Sequence, residues 1–96
     1  MQNQKNKIRR GEILRALYRN MPHPICDNVF AEVFTEDTPN YVITQLKYLE
    51  QKKYIKLEKV DEDFSTASCV ANILPAGVDL LEGSIPSDPG ITCPKI

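Results

Sequence analysis

Apolar residues recur along this chain with two periods, one helical and one extended, and the polar residues between them mark where each stretch ends. Ile13, Leu14, Leu17 and Tyr18 fall at i, i+1, i+4 and i+5. That spacing lays one oily stripe along a helix over residues 9–20. Met21-Pro22 stops it, because the residue before a proline is pushed out of helical geometry. MPHPIC is then an extended connector in which only a residue or two can pair as a strand. Asp27 is placed to cap a second helix. Val29, Phe30, Val33 and Phe34 give that helix its apolar stripe, and it ends near Thr35. TEDT is a polar turn.

Thr38-Pro39 is the sharpest local signal, a capping threonine followed by proline at the first helical position. The helix it opens runs to about Lys53. Val42, Ile43, Leu46 and Leu49 form its inward face. Tyr41, Thr44, Tyr48 and Lys52 fall on the other side, with Gln45 at the edge. Residues 54–60 then alternate in character with period two, as a half-buried strand does. Asp61-Glu62-Asp63 is a turn tip, and residues 65–74 hold the apolar run CVANIL of a return strand. LPAGVDLLEG reads as a short closing helix, with Pro75 at its start and Gly83 just past its end. Residues 1–7 are polar and basic, and a frayed, flexible arm is expected there. Residues 84–96 carry three prolines and a glycine. They are expected to be an irregular tail that either wraps onto the body or stays mobile.

Composition narrows the class. With 96 residues, 42% hydrophobic and 26% charged, the chain is that of one small soluble globular domain. The longest apolar runs are too short to span a membrane, and no signal peptide is expected. Cys26, Cys69 and Cys93 are odd in number and widely spaced, a poor disulfide framework, so a reducing cytoplasm is expected. His23 and Cys26 are the nearest metal-like pair, too few for a site, and no metal or cofactor is expected. The net charge of −1 hides an asymmetry. Residues 1–60 hold eleven Lys/Arg against seven Asp/Glu, net +4, and residues 61–96 hold one lysine against six acids, net −5. Such a split hints at a charged partner on one side.

The order of elements is helix, short strand, helix, helix, strand, strand, helix. A helix-turn-helix followed by a β-hairpin is an α+β arrangement. Through the stretches ILRALY, TPNYVITQLKYLEQKKYIKLEK and ANILPAGVDLLEG, residues 8–83 resemble the winged helix-turn-helix superfamily of bacterial and phage transcription regulators. Small regulators of phages and prophages are similar in size and ending. The resemblance implies a three-helix core, a C-terminal hairpin wing and a short closing helix, in one domain over residues 1–83. Two positions depart from the pattern. Leu74 stands where such proteins carry a capping threonine. The wing tip Asp61-Glu62-Asp63 is acidic where DNA-binding wings are basic, so either the wing stays off DNA or the domain does not bind it.

The resemblance implies that helix 38–53 reads duplex DNA in the major groove and that the protein regulates transcription, as a homodimer. Asn40, Tyr41, Thr44, Gln45 and Tyr48 are then the base-facing residues. Asn and Gln can bond adenine in bidentate fashion, and Thr can touch a thymine methyl. Lys5, Lys7, Arg9, Arg10 and Lys52 are the candidates for phosphate. Helix one or the segment from Val78 is the expected dimer surface. The alternative is a protein-interaction module on the same fold, using the tyrosine face or the acidic wing. No enzyme is expected. The one histidine lies between prolines with no nucleophile in a usable context, and the four glycines form no phosphate loop.

Overall fold

A computed structural model describes residues 2–59 and 69–94. Its elements follow the expected order: α1 (Gln2–Arg19), β1 (Ile25–Cys26), α2 (Asp27–Val33), α3 (Pro39–Gln51), β2 (Ile55–Lys59), β3 (Cys69–Ile73) and α4 (Pro75–Glu82). Among the described residues these four helices enclose a three-stranded antiparallel sheet of order β1-β3-β2. Ala71 and Val70 are shared rungs, Ala71 opposite Ile25 and Leu57, Val70 opposite Cys26 and Glu58. Ile13, Leu14, Leu17, Phe30, Val42, Leu46, Leu49 and Ile55 are fully buried between the helices and the sheet. The acidic tip at residues 61–63 lies outside the described residues.

Local chemistry explains most boundaries. Thr38 caps α3 as expected, its Oγ1 accepting from the Tyr41 N–H at 3.1 Å, with Pro39 next. The helix runs thirteen residues from Pro39 to Gln51 rather than to Lys53. Lys53 takes a left-handed φ of 66°, and the N–H of Tyr54 closes on the Leu49 carbonyl at 3.1 Å, turning the chain into β2. Gly83 ends α4 with φ 78°, the left-handed geometry that glycine adopts without a Cβ clash. Leu74 caps α4 without a side-chain bond.

Three expectations are corrected. α1 starts at Gln2, so the described part of the basic arm is helix rather than a frayed coil. Cys26, not Asp27, is the N-cap of α2, because it is still extended (φ −74°, ψ 151°) and pairs with Val70. Asp27 becomes the first helical residue. In α2 only Phe30 and Phe34 enter the core, their rings stacked at 6.2 Å, while Val29 and Val33 stay exposed. Two phenylalanines fill the space that four apolar residues were expected to share. Of the two alternatives expected for the tail the first holds: to residue 94 it has no helix or strand and packs on the body, with Asp88 and Ile91 buried. No helix among the described residues is long and apolar enough to cross a membrane. Cys26, Cys69 and Cys93 are free thiols.

Candidate nucleic-acid interface

Helix α3 presents two polar stripes outside its core face, each at i, i+4, i+7 and i+11 spacing. One is Tyr41, Gln45, Tyr48 and Lys52. The other is Asn40, Thr44, Lys47 and Gln51. They are one residue out of register and therefore about 100° apart around the helix. The structure gives them different environments.

The first stripe faces the chain itself. Gln45 is 2% exposed, so it does not point outward, and its Oε1 accepts from Arg10 Nε at 2.7 Å. The Arg10 guanidinium lies 3.5 Å from the centre of the Tyr48 ring, and its Nη1 donates to the Gly90 carbonyl at 3.0 Å. Tyr41 is half-buried; its hydroxyl donates to Asn6 Oδ1, and Lys5 Nζ stands 4.7 Å from its ring centre. Lys52 Nζ pairs with Asp88 Oδ2 at 3.0 Å. The N-terminal half of α1 and the tail thus pack on Tyr41, Gln45 and Tyr48, three of the five residues expected to face bases.

Two buried carboxylates hold this cover in place. Burial opposes ionisation of Asp37, but Lys5 at 3.1 Å and Arg9 Nε at 2.6 Å outweigh it and keep its pKa below the usual value. Arg9 also reaches Glu12 at 2.8 Å and lies over the Phe34 ring. Burial likewise opposes ionisation of Asp88. Bonds from the Tyr54 hydroxyl (2.7 Å), the Gly90 N–H (2.7 Å) and Lys52 outweigh it and lower its pKa. Tyr54 is pushed up to about 12, first by burial and then by its bond to Asp88. Lys52 is raised by the same carboxylate. The tail comes so close that a Cβ at Gly11 would overlap the Thr92 carbonyl, and one at Gly90 would overlap the Tyr48 hydroxyl.

Of the five expected phosphate ligands, Lys5, Arg9 and Lys52 are therefore in ion pairs, and Arg10 is bonded to Gln45 and the tail. Lys7 contributes its carbonyl, which accepts from Thr92 N–H at 3.1 Å. Asn40 and Thr44 do stand in solvent, as expected. Lys47 and Gln51, which were not among the expected ligands, stand in solvent with them. Their spacing from Asn40 and Thr44 was the signal that could have found them. Thr44 Oγ1 donates back to the Asn40 carbonyl at 2.8 Å. Glu50 is drawn toward β2, its Oε2 accepting from the Leu57 N–H at 3.3 Å. Between α3 and the hairpin runs a groove lined by Ile43, Leu46 and Leu57, with Lys47 and Lys59 alongside Glu50 and Glu58. Lys53 is exposed at the turn that follows α3. In comparisons with known proteins, no family model, no curated protein and no solved structure matches this chain.

Proposed function

We propose that this protein is a winged helix-turn-helix transcription regulator that binds duplex DNA with the outward stripe of α3. The observation that carries the reading is Asn40, Thr44, Lys47 and Gln51 in one exposed row with no carboxylate in it. Asn and Gln supply the paired donor and acceptor that suit adenine, the Thr methyl suits thymine, and Lys47 suits a guanine edge or a phosphate. The order of helices and strands supports the same fold assignment. Phosphate contact falls to Lys47, Lys53 and Lys59, because Lys5, Arg9, Arg10 and Lys52 are held by Asp37, Gln45, Asp88 and the tail. Tyr41 and Tyr48 act on the protein side, setting the angle of α3 against α1. Two copies would present two α3 helices to successive major grooves. The protein-interaction alternative loses the tyrosine face, which α1 and the tail already fill, and is left with the acidic wing.

The test is binding of the purified chain to a mixed pool of labelled duplexes across a salt series. The expected result is an affinity that falls linearly on a log–log plot. Replacing Lys47 with Ala should then lower the slope by about 1. Absence of binding at low salt, or a slope indifferent to Lys47, Lys53 and Lys59, overturns the reading.

A further inference from the structure

On the flank of α2 away from α3, a shallow groove runs between α1 and α2. Ala16, Ile25 and Phe34 line its floor. Val29 and Val33 stand on its α2 side at i and i+4, 41% and 65% exposed. Single exposed apolar residues are ordinary on protein surfaces. Here two lie in one line beside an apolar channel, and the charges around them are ordered. Glu12, Arg15 and Arg19 border the groove on the α1 side, Glu12 being paired with Arg9 at 2.8 Å, and Glu32 lies outside the groove on α2, one turn from Val29. Arg19 and Glu32 are exposed, and neither has an ion pair among the described residues.

The two walls are complementary to each other, but within one chain they do not meet. A two-fold axis through the valine row brings them together, since an isologous interface sets each patch against its own copy. We infer that the α1–α2 groove is the contact surface for a second copy of this chain. Val29 and Val33 of each copy enter the other's groove, and Arg19 of each copy meets Glu32 of the other. Asn28, Ala31, Pro39 and Ile43 belong to the opposite flank of α2, so the outward stripe of α3 stays open in the pair. This locates the dimer surface at α1 with α2 rather than at the segment from Val78, part of which packs over α1 and α3. A patch this small sits at the low end of specific interfaces, so the dimer is weak and depends on concentration.

The surface does not involve α3, so the test is done without DNA and its outcome is independent of the DNA-binding reading. Sedimentation velocity across a roughly hundredfold concentration range should show a monomer–dimer equilibrium. Val33→Glu should abolish it while the thermal melt, followed by circular dichroism, stays unchanged. Arg19→Glu and Glu32→Arg should each weaken dimerisation by about tenfold, because like charges then meet twice. The two substitutions combined should return it to within about threefold of the original. A chain that is monomeric throughout overturns the inference and leaves the groove to another partner. A dimer indifferent to Val33→Glu, or one not rescued by the charge exchange, places the interface elsewhere and overturns it as well.

Discussion

At the residue scale the most consequential group is Asp88. Its carboxylate is buried and accepts from Tyr54, Gly90 and Lys52, so one side chain ties the tail to the start of β2 and to the turn after α3. Asp88→Ala would leave the Tyr54 hydroxyl unpartnered in a buried site and should cost about 2–3 kcal/mol, measured by urea unfolding. The pH dependence follows from the sign of the shift. The folded pKa of Asp88 lies below its ordinary value of 3.8, so its contribution is complete above that value. It is lost as pH falls through the depressed folded pKa. The gap between the original and Asp88→Ala should therefore be flat from about pH 5 to about pH 8 and close below pH 3.8. A gap that persists in strong acid would mean that packing, not charge, makes the contribution. Asp88 gives no sign of this role in sequence. It sits in SIPSDPG, where proline and glycine advertise only irregular backbone.

At the element scale, α3 separates two kinds of residue that look alike in sequence. Asn40, Thr44, Gln45 and Tyr48 are all polar or half-polar and all lie off the Val42-Leu46-Leu49 face. A helix wheel puts Gln45 at the edge of the polar side and Asn40 farther from the core, but it does not show what covers that edge. Arg10 covers it, reaching Gln45 from α1. Combined Ala substitution of Asn40, Thr44, Lys47 and Gln51 should remove DNA binding and leave the urea midpoint within the scatter of surface mutations. Gln45→Ala should do the reverse to stability, costing about 1–2 kcal/mol by leaving Arg10 Nε without its acceptor. Equal stability loss in both variants would mean that the outward stripe is structural. The start of α1 was hidden for the same reason. QNQKNKI has no apolar period, and Lys5 and Arg9, one helical turn apart, both reach Asp37 in the turn before α3.

At the scale of the whole molecule, the tail is the part whose role only packing reveals. Ile91 is buried, Thr92 N–H bonds Lys7, and Gly11 leaves room for the Thr92 carbonyl. A chain ending at Gly83 should therefore be less stable to urea and more open to protease than the full chain, and a midpoint unchanged by the truncation would make the tail a passive extension. The sequence by itself determined the succession of elements, the Thr38-Pro39 start of α3, the Gly83 end of α4 and the α+β class. Those features are set by neighbours within one or two turns of chain, through period, capping and backbone geometry. Tertiary structure decided which polar face of α3 meets water, which cations are already neutralised, and where the tail goes. Those outcomes depend on partners 28 to 80 residues away, such as Arg9 with Asp37 and Arg10 with Gly90. Local pattern carries no record of such distant partners, because a side chain's period states how it faces its own helix and not what the rest of the chain brings to that face.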